Sequence, residues 1–248
     1  SIKTKVEIFA KPFSWPEVPQ WSNYVEAWTS ANMSHYFLNS LIQAGATVIV
    51  LAIVSTMAAY VLSRFDFIAN KFIQTSFVSA MGVPAIMVVL PLFSIISGMG
   101  ILNNVAAGRT VLIILYVGIN VPYTTIFLLT FFSNISRTYE EAAAIDGCPP
   151  MRTFWKIMFP MAQSGIVTVT IFNFINIWNE YFLSLIFASS DKLKPVAPGL
   201  YGMINSMKYT GDWAGMFAAV IIVFLPTFIL YIFLSEKIIG GVTGGIKG

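Results

Sequence analysis

The sequence predicts an all-α fold, a polytopic membrane helix bundle, and three observations lead there. Of its 248 residues, 57% are hydrophobic and only 10% charged, whereas a soluble domain carries roughly 25% charged residues; the mean hydropathy of +0.77 agrees. Charge-free apolar windows recur, each at least as long as the ~20 helical residues that cross a bilayer core. These windows are apolar all round and lack the short alternating strands with turn signals that a membrane barrel requires.

Five windows predict five spans. The first runs from Tyr36 to Ser63, between His35 and Arg64. The second, Phe72 to Gly108, holds one span near Ile73–Ile96 and then the turn-rich stretch 97–104. The third runs from Thr110 to Ser136, and the fourth from Ala162 to Ala188 with one charge inside it, Glu180. The fifth runs from Trp213 to Ser235. Pro84, Pro91, Pro122 and Pro226 fall inside these windows. Such prolines are tolerated in lipid where neighbouring helices satisfy the freed carbonyls. They serve either ordinary packing or kinks beside a translocation path.

Charge sets the orientation. Placing Arg64, Lys71, Arg137, Arg152, Lys156, Lys237 and Lys247 inside leaves Lys3, Lys5, Lys11, Arg109, Lys192, Lys194 and Lys208 outside. The first three of the outer set lie beyond about 20 residues from a span and carry little weight. The balance favours this orientation, with residues 1–35 outside. No basic-then-apolar leader opens the chain, so an upstream hydrophobic segment is expected to carry residues 1–35 across. The formal charge of +3 shows no basic patch, which argues against a nucleic-acid partner. One cysteine, Cys148, and one histidine, His35, cannot build a metal cluster or an internal disulfide.

Between the third and fourth windows lies a polar insert, residues 138–160, holding Glu140, Glu141, Asp146, Arg152 and Lys156. Glu140 to Ile145 is rich in helix formers, and Gly147 reads as a helix stop. Pro149 and Pro150 suit the start of a second helix. Phe154, Ile157 and Met158 fall at i, i+3, i+4 and form an apolar stripe, and Pro160 is expected to end that helix. The insert is thus two short helices on a glycine elbow. Ala142, Ala143 and Ala144 would let a partner approach closely, with Glu141 and Asp146 free to pair with its basic groups; a plain solvated loop is the alternative.

The run Glu141-Ala142-Ala143-Ala144-Ile145-Asp146-Gly147, followed by Ile157-Met158-Phe159-Pro160, resembles the EAA loop of ABC import permeases. That pattern is Glu-Ala-Ala, two residues, Asp-Gly, then Ile-x-Leu-Pro, and Phe159 departs from it at the Leu. Asn39-Ser40-Leu41, Trp178-Asn179-Glu180 and the terminal Gly244-Gly245-Ile246-Lys247-Gly248 resemble the carbohydrate branch, in particular the second permease of maltose-type importers. The tail matches only loosely. Members of that branch have six spans, which fits the expected upstream helix.

The resemblance implies a bacterial inner-membrane permease subunit that imports a sugar or oligosaccharide and is not itself an enzyme. It implies a second, homologous permease, a dimer of ABC ATPase subunits that bind ATP and Mg, and an extracytoplasmic sugar-binding protein. Residues 138–160 would be the cytoplasmic coupling loop, with Glu141 for charge pairing, Gly147 for the elbow, and Ala142, Ala143, Asp146 and Phe154 in support. Residues 36–236 would form the transmembrane domain, 189–212 an extracytoplasmic loop that meets the binding protein, and 237–248 a cytoplasmic tail with Lys247 as a contact.

Asn173, Asn176, Asn179 and Glu180 are the polar residues of the fourth window. A charge within a span is a functional candidate by default, and Asn176 and Glu180 would share a helix face. They would line the sugar path or make interhelical hydrogen bonds. The chain carries no phosphate loop, because Ile246 stands where such a loop after Gly240 and Gly245 needs Lys. Import of glycerol phosphate or a polyol would use the same architecture. An ion-coupled transporter would show inverted repeats and ion ligands, and a membrane enzyme would show a His, Cys or carboxylate cluster; neither pattern is present in the sequence.

Overall fold

A computed structural model describes residues 1–29 and 32–244, with side chains for all of these except 207, 208, 210 and 233–244. The helices in chain order are α1 (Lys5–Ala10), α2 (Ser22–Thr29), α3 (Met33–Arg64), α4 (Asn70–Met81), α5 (Ala85–Gly98), α6 (Val105–Asn134), α7 (Thr138–Ile145), α8 (Pro150–Thr153), α9 (Phe159–Met161), α10 (Gln163–Trp178), α11 (Phe182–Phe187), α12 (Val196–Thr210) and α13 (Trp213–Gly244). A short 3₁₀ turn, Ile101–Asn103, precedes α6, and no strand occurs among the described residues. By length and composition α3, α6 and α13 can each cross a membrane, and the number of spans is up to five if each of two bent helix pairs is one span.

The chain forms two compact units. The first comprises Ser1–Gly45, Leu92–Ile113 and Asn176–Tyr231. Its core joins Ala27 of α2, Met33 of α3 and Ala218, Ala219 and Ile222 of α13. Small side chains there let backbones approach closely, the packing device that serves where lipid offers no hydrophobic drive. The second comprises Ala46–Pro91, Ile114–Ile175 and the stretch from Ile232. Its core gathers Ala59 and Tyr60 of α3, Leu128 and Phe132 of α6, Phe154 and Met158 after α8, and Ile166 and Val169 of α10.

Two expected spans are corrected by the backbone. The second window is two helices, α4 and α5, bent by 95°. Pro84 disfavours helix at Val83, and Gly82 caps α4, so the chain turns there; Pro91, Pro122 and Pro226 stay inside helices. The fourth window breaks after Trp178 and resumes at Phe182 as α11. Its 16 residues in α10 span only about 24 Å at 1.5 Å per residue. The stretch 189–212, expected to be an outer loop, contains α12, a 15-residue helix. The expected tail from 237 is still helical as far as Gly244, and Lys247 lies outside the described residues.

Pro160 does not end its helix either. Residues Phe154–Met158 form one wider π-helical turn that runs into α9, so α8, the π turn and α9 make a continuous rod. The widening falls where the proline ring would press on the carbonyl of Lys156, four residues back. The bend to α10, 73°, comes later, at Ala162.

Close packing in the second unit has a testable weak point. A Cβ built on Gly165 of α10 would lie 2.6 Å from Cγ of Phe131 on α6, so any side chain must push the ring aside. Gly165→Ala is expected to destabilise the protein by about 1–3 kcal/mol, read as a lower melting temperature in lipid nanodiscs. Gly118→Ala, with nothing within 4 Å of its Cβ position, is expected to change stability by no more than about 1 kcal/mol.

Candidate coupling site

The two short helices and the glycine elbow of the insert form as the sequence predicts, and their hydrogen bonds explain why. α7 ends in a left-handed residue, Gly147 at φ +73°, a conformation that costs other residues roughly 1–2 kcal/mol. The Cys148 amide donates to the Ala143 carbonyl at 2.8 Å, and the Gly147 amide to Ala144 at 3.0 Å. Those two bonds close the helix end as a Schellman motif. Pro149 then caps α8 with an extended backbone and Pro150 occupies its first turn, where a missing N–H costs nothing.

α7 has two faces. Glu140 and Ala143 point inward, and Ala143 is only 5% exposed. Glu140 ends on Tyr60 and Arg64 at the C-terminal end of α3: the Tyr60 hydroxyl donates to Oε1 at 2.7 Å, and Arg64 Nε lies 3.1 Å from Oε2. Arg64 Nη2 also donates to the Ile135 carbonyl at 2.6 Å, just beyond α6. Three helix ends therefore meet at one guanidinium. Each charge also suits its helix dipole, with Arg64 in the last turn of α3 and Glu140 in the first turn of α7.

The rod α8–π–α9 is fixed by the aromatic core beneath it. Phe154 is 3% exposed and Met158 is fully buried, and the Phe154 and Tyr60 rings pack at 5.0 Å between centroids, tilted by 46°. A cleft of about 290 Å³ remains between α7 and the end of α3, lined by Arg137, Glu141, Ala144 and Cys148 among others. The outward face of α7 carries Glu141, Ala142 and Ile145, one helical turn apart. Ile145 is 87% exposed, and Asp146 beside it is exposed too.

Set against the sequence, the hairpin, its glycine elbow and the inward Phe154 are where they were expected. Glu141, Ala142 and Asp146 are exposed, while Ala143 is a correction: it packs inward, against its own chain. Sequence reading missed Tyr60, Arg64 and Glu140, which fix the hairpin, and Ile145, which crowns it. The signal for the first three was the pairing of a basic residue ending one span with an acid opening the insert.

The polar residues of the fourth window separate. Asn173 is 2% exposed and donates to Thr124 Oγ1 of α6 at 2.9 Å, an interhelical bond within this chain. Asn176 and Asn179 are exposed. Glu180 shares no helix face with Asn176, because α10 stops at Trp178. Its carboxylate instead accepts the amides of Leu183 and Ser184 at 2.6 and 3.0 Å, capping α11 and meeting the need of unpaired amides at a helix start. No group of three or more metal-ligating side chains occurs among the described residues.

Arg64 is 5% and Glu140 20% exposed at the side chain, so removing one partner strands a largely buried charge. Arg64→Met is expected to cost about 3 kcal/mol of stability, and Arg64→Met/Glu140→Gln distinctly less. A double-mutant cycle on thermal unfolding in nanodiscs reads the difference.

Residues 49–236 match the family described as binding-protein-dependent transport system inner membrane component. The chain is similar to the diacetylchitobiose uptake system permease protein NgcG of Streptomyces coelicolor, 34% identical and covering 99% of this chain and 80% of that one. It is 30% identical to the sulfoquinovosyl glycerol transport system permease protein SmoH of Agrobacterium fabrum, over 100% of this chain and 86% of that relative. The melibiose/raffinose/stachyose import permease protein MelC of Bacillus subtilis is 28% identical over 100% of this chain and 88% of its own length. A crystal structure of a bacterial ABC transporter involved in import of the acidic polysaccharide alginate shares the fold, with a TM-score of 0.76 at 22% identity, over 90% of this chain and 81% of that one. By family match and by identity along its whole length, this chain belongs to the binding-protein-dependent transport system inner membrane components.

Proposed function

We propose that this permease forms half of the membrane path of a bacterial ABC importer for a sugar or oligosaccharide, and that the α7–α8 hairpin is its attachment to a separate ATPase. One observation carries the coupling reading. The hairpin has one face locked to its own spans through Glu140, Ala143 and Phe154, and an opposite face that offers Ile145 between Glu141 and Asp146. A lever needs both: a stiff joint to what it moves and a free face for what moves it.

The exposed apolar tip rimmed by acids fits a groove with an apolar floor and basic walls. An interface of that kind takes most of its energy from a few central anchors, and Ile145 has the place of one. The hairpin 138–160 and the tail 237–248, with Lys247, then face the cytoplasm, and residues 1–35 and 189–212 face outward. The chain contributes no nucleotide site; ATP and Mg are held by a pair of ATPase subunits, a second, homologous permease completes the path, and a sugar-binding protein delivers the cargo. Diacetylchitobiose for NgcG and melibiose, raffinose and stachyose for MelC, all carbohydrates, support the sugar class. Asn176 and Asn179, exposed in the first unit, are the path residues this reading retains. Asn173 and Glu180 serve as a helix tie and a helix cap.

Co-purification with the tagged permease tests the coupling face. Glu141→Lys and Ile145→Asp, both at exposed positions, are expected to lower ATPase recovery about tenfold or more, each such factor being about 1.4 kcal/mol, without changing the permease's own melting temperature. Full recovery of the ATPase together with unchanged sugar uptake in both variants rejects this face as the attachment.

A further inference from the structure

At its N-terminal end α3 grips the segment that leads into α12, and the grip centres on one buried carboxamide. Asn39 is 1% exposed. Its Nδ2 donates to the carbonyls of Lys192 and Lys194 at 2.9 and 3.1 Å, and its Oδ1 accepts from Arg109 Nη2 of α6 at 2.8 Å. One turn further on, Gln43 Nε2 donates to the Leu193 carbonyl at 2.9 Å. Ser40 Oγ accepts the Val196 amide at 2.9 Å, which caps the first residue of α12. His35 Nε2 lies 3.0 Å from the Lys192 carbonyl.

The segment held is itself buried: Leu193 and Val196 have no exposed surface. Packing leaves no slack around it. A Cβ on Gly108 of α6 would come within 2.8 Å of Leu193, and one on Gly199 of α12 within 2.3 Å of the Tyr36 ring. The amide nitrogen of Asn39 is thus spent on two carbonyls of the turn that leads into α12, and its oxygen on Arg109; such buried groups are costly to leave unmade. The same helix, unbroken from Met33 to Arg64, carries at its other end the Tyr60 and Arg64 groups that hold α7.

We propose that Asn39 is a positioning residue for transport: it ties the segment before α12 to α3, and the response of the assembly to the delivering protein depends on that joint. This rests on the importer reading above. Asn39 is the residue that joins α3 both to the segment, beside Ser40 and Gln43, through its two donors and to α6 through its acceptor. Asn39→Asp separates the two. The carboxylate keeps an acceptor for Arg109 and strengthens it with charge, but it turns both donors into acceptors facing two carbonyls.

The test is the ATPase activity of the whole assembly in nanodiscs, titrated with its sugar-loaded binding protein. In Asn39→Asp the half-saturating binding-protein concentration is expected to rise, or maximal stimulation to fall, by about fivefold or more, with basal ATPase activity and ATPase recovery unchanged. Asn39→Ala, which loses all three bonds, is expected to do the same with a lower melting temperature. A merely structural role would lower basal and stimulated activity together, and that result overturns the proposal. So does a stimulated wild type whose titration Asn39→Asp leaves unaltered. If the wild-type assembly is not stimulated at all, the importer reading fails first and this proposal falls with it.

Discussion

A guanidinium at the end of a membrane helix, 5% exposed at its side chain, has to find an anion and acceptors close by, because a buried unpaired charge is among the costliest things a fold can contain. Arg64 finds Glu140 on α7 and the Ile135 carbonyl at the end of α6. That requirement decides where the hairpin sits. Once Glu140 is held, Ala143 one turn on must face the same way, and Glu141, Ala142 and Ile145 must face out. The Schellman turn at Gly147 then aims α8 so that Phe154 and Met158 enter the core formed by Tyr60, Leu128 and Phe132. The outward face of the hairpin is what remains after its own chain has used the other side.

Legibility in the sequence tracked how local each determinant was. The hairpin could be read because its determinants are local: helix formers, a glycine stop, a double proline and an apolar stripe all lie within residues 138–160. The first, third and fifth spans could be read because length and hydropathy suffice for them. The 95° bend at Pro84 was within reach, but a proline inside an apolar window is usually absorbed, as Pro91, Pro122 and Pro226 are. Only Gly82 immediately upstream distinguishes it. Glu180 misled for a related reason. An acid in an apolar window reads as a charge within a span, whereas here it stands at a helix break and satisfies the amides that the break exposes. The grip of Asn39 on Lys192 and Lys194 spans more than 150 residues of sequence, and no local pattern encodes such a pairing. Nor did the inward turn of Ala143 follow from an alanine run, which is equally apolar on every side.

α3 is held by polar groups at both ends and apolar over most of its length. Asn39, Ser40 and Gln43 bind the carbonyl or amide groups of the segment before α12, and Tyr60 and Arg64 bind a carboxylate. Between them the buried positions are mostly small, Ala44, Thr47, Ser55, Thr56 and Ala59 among them, which favours close helix contact and a stiff element. A transporter that receives cargo on one face and energy on the other needs an element of this kind. The chain belongs to the binding-protein-dependent family, and the bonds at each end of α3 fix it to the segment before α12 and to α7.

The central claim is that the hairpin is rigid because Glu140 is held by α3, and hydrogen exchange measures this directly. In the permease in lipid nanodiscs, the amides of Asp146, Gly147 and Cys148, bonded within α7, should be protected. Glu140→Gln should speed their exchange by about tenfold or more while amides in the middle of α3 are unaffected. Equal protection of those three amides with and without the Glu140 carboxylate would contradict the account.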